Sequence, residues 1–181
     1  VDTTGFDIPR VDLIDMLREL GREGRIEFTG SAKYHSFLPL LPEYEITRQI
    51  TINNETNSFF LGDAYQPRGF FPPEMAYDAK LLPIIESLGF HWIILDEIAF
   101  HGSGERLDYT KRYRIADSTL QVIFRQRRLS NLIMSAIVRS SATLLEATKE
   151  DRVPGRYVVT AMDGETFGHH RPGLEKTLFE L

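Results

Sequence analysis

The sequence predicts an α/β fold in which a parallel sheet is covered by helices. Short apolar runs rich in β-branched and aromatic residues alternate with longer segments of helical periodicity, which is typical of βαβ units. The 181 residues suffice for one domain with a sizeable core, and they contain no internal repeat, low-complexity tract or interdomain linker. We therefore predict a single domain over residues 1–181.

Composition excludes several classes of protein and site. A formal net charge of -5, without a basic stripe, argues against a nucleic-acid partner. The absence of cysteine excludes disulfides and thiolate metal sites. No run is long and apolar enough for a membrane span and no signal peptide is visible, so we expect no membrane partner and a cytoplasmic location. Because the chain begins with Val1 and ends in a predicted helix, we expect a portion of a longer protein.

The first half predicts helices separated by two short strands. Asp7 and Pro9 are typical of a helix start, and Gly21 ends the apolar periodicity that follows. The prolines at 39 and 42 favour a packed loop over a helix. The predicted elements are a helix ending near residue 20, a strand at 25–29, a loop at 34–42, a helix at 43–60, a strand at 70–71 and a helix at 78–88.

The second half predicts three further strands. Each is a short apolar run, and Pro154-Gly155 turns the chain into the last of them. The predicted elements are a strand at 91–95, a long loop at 100–117, a strand at 119–124, helices at 129–137 and 141–149, a strand at 157–159 and a helix at 173–181.

Charged side chains recur where these strands end. They are Glu27, Glu74, Asp96, Arg125 and Asp163. The carboxyl ends of parallel strands meet at one edge of a sheet, so these residues are predicted to share that edge. Two carboxylates on separate strands suit glycosidic cleavage, in which one attacks or acts as base while the other, protonated, assists the leaving oxygen.

Three stretches resemble motifs of glycoside hydrolase family 57. They are Gly24-Arg25-Ile26-Glu27, Phe71-Pro72-Pro73-Glu74-Met75 and Met162-Asp163-Gly164-Glu165-Thr166-Phe167-Gly168-His169, in the order and approximate spacing of the second, third and fourth motifs. The resemblance implies an incomplete (β/α)7 barrel and a retaining glycoside hydrolase or transglycosylase that acts on α-1,4-glucan. That family contains α-amylases, amylopullulanases, 4-α-glucanotransferases and branching enzymes.

The resemblance also implies roles for particular residues. Glu74 would be the catalytic nucleophile and Asp163 the general acid/base. Substrate-binding candidates are Glu27, Phe71, Glu165, Phe167 and His169 from the motifs, and His35, Trp92, Asp96 and Arg125 from strand ends or local resemblance. No cofactor or metal ligand is implied, and the oligomeric state is left open.

The sequence departs from the family pattern at several places. Arg25 stands where Gln is usual, Phe71 where Trp is usual, and His170-Arg171 where further Trp residues are common. These changes remove aromatic surface that would stack on sugar rings. The first and fifth motifs are not seen.

Simpler interpretations stay open at this point. Glu74 suits a helix start and Asp163-Gly164 suits a turn. At the level of function, the alternatives are a metal-dependent polysaccharide deacetylase and a carbohydrate-binding domain without catalysis.

Overall fold

A computed structural model describes residues 12–101 and 107–176 as helices packed on one four-stranded sheet. The helices are α1 (Leu13–Arg22), α2 (Glu43–Leu61), α3 (Leu81–Ser87), α4 (Ile98–His101), α5 (Arg127–Met134) and α6 (Ser141–Ala147). The strands are β1 (Gly69–Phe70), β2 (Trp92–Asp96), β3 (Tyr113–Arg114) and β4 (Gln121–Arg125). No helix in these two ranges is long and apolar enough to cross a membrane.

The sheet has the order β1-β2-β4-β3 and is mainly parallel. Phe70 lies beside Ile93, and Ile93 lies beside Val122, so the carboxyl ends of β1, β2 and β4 share one edge. The prediction of parallel strands is correct for these three and wrong for β3, which pairs antiparallel with β4. That strand lies inside the predicted 100–117 loop, where a tight return to β4 permits antiparallel pairing without a crossover helix.

The predicted strand at 25–29 is replaced by a single bridge one residue later. Gly30 donates to the carbonyl of Gly69 and accepts from the amide of Phe71, both at 2.8 Å, in parallel register with Phe70. The pairing is confined to this residue, since β1 itself is only two residues long.

The predicted strand at 157–159 is likewise an extended segment without a ladder. Its link to the sheet is one hydrogen bond, from the Gln126 amide to the Val159 carbonyl at 2.8 Å. Because α5 begins at Arg127, β4 does not continue alongside this segment, and repeated pairing cannot develop. The segment nevertheless extends the sheet edge beyond β4.

The helices agree with the predicted elements more closely than the strands do. The helix predicted at 43–60 is confirmed as α2, and those at 78–88 and 141–149 are confirmed with shorter bounds. The first described helix is capped by Asp12, whose carboxylate accepts from the amides of Ile14 and Asp15. The predicted cap Asp7 and the end of the last predicted helix, 177–181, lie outside the described residues.

The two faces of β2 show why the sheet is apolar on both sides. Ile93 and Leu95 are buried in the main core with Ile50 of α2 and Ile85 of α3. The alternate residues Trp92 and Ile94 face a large cavity on the other side.

Candidate functional site

Glu74 and Asp163 line one cavity at the carboxyl edge of the sheet. The cavity measures about 440 Å³ and is shared by four segments of the chain. Glu74 follows β1 by four residues, and Asp163 follows the sheet contact at Val159 by four residues. The lining also includes Ser31, His35, Phe71, Met75, Arg125 and Met134. The prediction that Glu74 and Asp163 share an edge of the sheet is therefore confirmed.

Glu74 is held in an unusual backbone conformation. It lies in a short 3-10 turn, Pro73–Met75, with φ 59° and ψ 11°, and Met75 also has a positive φ of 51°. Left-handed backbone costs a residue with a Cβ roughly 1–2 kcal/mol. Such strain concentrates at functional sites, where the surrounding structure imposes it. The simpler interpretation of Glu74 as the start of a regular helix is wrong.

His35 is the partner of Glu74. Its Nε2 lies 3.1 Å from Glu74 Oε1, although the two residues are 39 positions apart. His35 also has a positive φ, 52°, so two strained residues meet through their side chains. Both side chains are about two-thirds exposed, 67% and 69%, and therefore open to the cavity.

Arg125 brings a buried positive charge to the same cavity. It is 8% exposed, its Nη1 lies 3.7 Å from Asp96 Oδ2, and its Nη2 donates to Asn131 Oδ1 at 2.9 Å. A buried guanidinium needs such partners, because removing it from water is costly. Its Nε has no hydrogen-bond partner among the described residues. Arg125 thus supplies a fixed cation to the cavity that Glu74 and Asp163 also line.

Asp96 contacts the Arg125 side chain and a backbone amide and does not line the cavity. Its Oδ1 accepts from the Ile98 amide at 3.0 Å, at the start of α4, while Oδ2 faces Arg125. It lies at the predicted edge but does not line the cavity that Glu74 and Asp163 share.

Glu27 is the predicted site residue that the structure separates from the others. Gly30 is aligned across the sheet with Ile93 of β2 and Val122 of β4. Asp96 and Arg125 come three residues after their aligned positions. Glu27 comes three residues before Gly30. The parallel register therefore places Glu27 at the amino edge, in a cavity with residues of α1. The prediction was wrong because the pairing residue is Gly30, beyond the predicted strand.

The fourth motif is divided between two environments. Asp163 precedes the 3-10 turn Gly164–Thr166 and reaches the cavity, while Glu165 and His169 are exposed and line none of the large cavities around the sheet. The amide of His170 donates to the Glu165 carbonyl at 2.8 Å, which closes the turn. The turn interpretation of Asp163-Gly164 is thus correct for the backbone and compatible with a role for the carboxylate.

An apolar cavity of about 700 Å³ adjoins the polar one. Phe71, Trp92 and Phe167 line it together with aliphatic residues of α5 and α6. Thr29, Phe71 and Met162 line both cavities, so the two are neighbours. Three predicted binding residues therefore share an aromatic wall next to the carboxylates.

Some residues near the site carried no sequence signal. The hydroxyl of Tyr109 donates to Glu97 Oε2 at 2.6 Å and lies 3.4 Å from the Arg125 carbonyl. Burial and the neighbouring Glu97 carboxylate raise the pKa of Tyr109 far above its usual range. Tyr109 comes from the predicted loop and Asn131 from a helix, and nothing in their spacing indicated contact with a strand end.

The described part of the chain holds no cluster of metal-ligand side chains. Across the described side chains, no three or more histidine, aspartate or glutamate residues are grouped so as to hold an ion.

Comparison with known proteins gives one family. The model of glycosyl hydrolase family 57 matches residues 8–180. The chain is 24% identical over 174 residues to an α-amylase of Pyrococcus horikoshii, covering 94% of this chain and 27% of that protein. It is 23% identical over 172 residues to a 4-α-glucanotransferase of Thermococcus litoralis, covering 93% of this chain and 25% of that protein.

Solved structures show the same fold. The crystal structure of a 4-α-glucanotransferase from Thermococcus litoralis matches 93% of this chain and 26% of its own, with a TM-score of 0.70 and 20% identity. A family 57 branching enzyme from Thermococcus kodakaraensis matches 92% of this chain and 45% of its own, with a TM-score of 0.71 and 20% identity. The chain thus spans about a quarter of the length of the two curated relatives named above.

Proposed function

The chain belongs to glycosyl hydrolase family 57, and from that premise we propose that it acts on α-1,4-glucan by a retaining mechanism. In this proposal Glu74 is the nucleophile and Asp163 the general acid/base. The observation that carries it is the single cavity lined by both carboxylates at the carboxyl edge of a parallel sheet. The enzymes named α-amylase and 4-α-glucanotransferase among its relatives support the substrate class.

The proposed reaction has two steps. Glu74 attacks the anomeric carbon while Asp163 donates a proton to the leaving glycosidic oxygen, which forms a covalent glycosyl-enzyme. Asp163 then removes a proton from water or from an acceptor sugar, whose oxygen displaces Glu74. Two inversions leave the α configuration unchanged.

The surroundings of the carboxylates suit a sugar ligand. Phe71, Trp92 and Phe167 offer aromatic faces beside the polar cavity, and rings of this kind combine apolar contact area with low conformational entropy. Arg125 offers a cation near the reacting groups. We propose these four residues as substrate-binding residues, whereas the side chain of His35 contacts the Glu74 carboxylate. Glu165 and His169, which stand outside both cavities, are proposed to act only in the complete site.

We further propose that residues 1–181 form part of a catalytic (β/α)7 barrel. A mainly parallel sheet that continues at Gly30 beside β1 and at Val159 beyond the end of β4 supports this arrangement. The glucan-cleaving site would then lie at the carboxyl mouth of the barrel, as in other barrels of this kind.

The test is product analysis of the full-length protein on maltooligosaccharides and starch. We expect shortened or rearranged α-glucans whose new reducing ends appear first as the α anomer by proton NMR. Glu74→Gln should lower turnover by roughly 10³-fold or more, because no other group can form the covalent intermediate.

Glu55→Gln is the matched control, since it removes an exposed carboxylate of α2 that lines neither cavity. Glu74→Gln with wild-type turnover, or β products from the wild-type protein, would contradict the proposal. Release of acetate from an acetylated polysaccharide would favour the deacetylase alternative, and glucan binding without products would favour a binding domain. The family match favours neither.

A further inference from the structure

We infer that His35 is a positioning residue that fixes the carboxylate of Glu74 for attack. This inference rests on the proposed function, since it assigns Glu74 the role of nucleophile. The contact that carries it joins His35 Nε2 to Glu74 Oε1 at 3.1 Å.

The contact with His35 makes the two carboxylate oxygens of Glu74 inequivalent. An imidazole N–H donated to Oε1 leaves Oε2 with no hydrogen-bond or ion-pair partner among the residues that the structure describes. A nucleophilic carboxylate needs this asymmetry, because one oxygen must stay available to the anomeric carbon while the other is held. His35 therefore removes the freedom of Glu74 to rotate away from the productive orientation.

The backbone is shaped to make this contact. His35 and Glu74 lie on separate segments, one after the Gly30 bridge and one after β1, and each has a positive φ. Both segments start from neighbouring positions, because Gly30 and Phe70 are paired. The strained turns therefore direct two side chains from adjacent sheet positions toward each other above the same edge.

The contact contributes little to folding. Both side chains are about two-thirds exposed, and solvent screens exposed ion pairs strongly. A loss of activity on removing the imidazole would therefore not be explained by loss of the fold. This separates a positioning role from a structural one.

The experiment compares His35→Ala and His35→Gln in the full-length protein acting on a maltooligosaccharide. Loss of orientation should lower kcat and kcat/KM together by about 10- to 100-fold in His35→Ala, with KM nearly unchanged. His35→Gln should recover most of that loss, because its amide Nε2 can donate from about the position of the imidazole Nε2. The thermal midpoint of both variants should match the wild-type value.

His91→Gln is the matched control, because His91 is exposed at the opposite end of the sheet, before β2, and should leave kcat unchanged. If His35→Ala unfolds, His35→Asn replaces it, since asparagine tolerates positive φ but is too short to reach Oε1. An unchanged kcat in His35→Ala would overturn the inference. So would a raised KM at constant kcat, which indicates sugar binding, or equal losses in the alanine and glutamine variants.

These variants also distinguish the role of His35 from the proposed function of the protein. Wild-type turnover together with an inactive Glu74→Gln supports the proposed function whatever His35 does. A wild-type protein that turns over no α-glucan contradicts the proposed function, and the inference about His35 falls with it.

Discussion

At the scale of single residues, backbone conformation marks the site more clearly than burial does. Glu74 is exposed, yet its φ of 59° is one that most residues with a Cβ avoid. Its carboxylate is held by a histidine with the same unusual conformation. By contrast, Arg48 and Glu45 form an ion pair within the regular backbone of α2.

Glu86 gives a residue-scale prediction about pH. Its Oε1 accepts from the Thr119 hydroxyl at 2.7 Å, the Thr119 amide at 2.6 Å and the Ser118 hydroxyl at 3.0 Å. These hydrogen bonds, those of Thr119 first, lower the pKa of Glu86 from its ordinary value of 4.5. The folded state therefore gains stability from ionised Glu86 above that value and loses it as the pH falls through the lower folded pKa.

Glu86→Gln should accordingly lower the thermal midpoint at neutral pH. The difference from the wild-type chain should shrink below about pH 4.5 as both proteins come to carry an uncharged group. Thermal unfolding followed by circular dichroism across this range measures it. Glu55→Gln, on the exposed side of α2, is the control. A deficit for Glu86→Gln that is constant with pH would rule out ionisation as its cause.

At the scale of elements, two glycines let the sheet pack. A Cβ on Gly30 would lie 2.2 Å from the Phe90 ring, and one on Gly69 would lie 2.0 Å from the Trp92 ring. Each glycine therefore leaves room for an aromatic side chain from the neighbouring part of the chain. Through Gly69, the position of Trp92 in the aromatic wall depends on β1.

Gly69→Ala should destabilise the chain by about 1–3 kcal/mol, because the Trp92 ring or the strand must move. Urea unfolding measures the loss, and Trp92, the only tryptophan in the sequence, reports the local change by its fluorescence. Gly164→Ala is the matched control, since its Cβ would meet nothing within 4 Å. Equal stability of the two variants, with unchanged Trp92 emission, would show that the ring does not depend on Gly69.

Some elements were predicted from the sequence and others were not. Local sequence located α2 and β2 well, because each element carries its own signal over nineteen and five residues. The 25–29 and 157–159 segments have strand composition, but pairing depends on neighbours that local sequence does not reveal. Glu27 was misplaced for the same reason, since its edge is decided by the Gly30 bridge. The left-handed turn at Glu74 and the reach of Asn131 to Arg125 had no local signal.

At the scale of the whole molecule, the sheet brings two motifs that are distant in sequence to one cavity. Glu74 and Asp163 are far apart in sequence, with β2 and β4 between their segments, yet they line one cavity. The buried Asp151 strengthens the side that carries Asp163, since it pairs with Arg128 and Arg156 at 2.9 and 2.8 Å. These ion pairs join helix α5, through Arg128, to the segment that leads from Arg156 to Asp163.

The central proposal is that Glu74 is the nucleophile and Asp163 is the general acid/base. Azide rescue of alanine variants of the full-length protein, acting on an aryl α-maltoside with a good leaving group, tests it most directly. In Asp163→Ala the first step needs little protonation, and azide then attacks the glycosyl-enzyme on Glu74. We predict restored turnover and an α-glycosyl azide for Asp163→Ala, and no α product for Glu74→Ala. Rescue of Glu74→Ala to the α-azide, with Asp163→Ala silent, would contradict the claim and reverse the two roles.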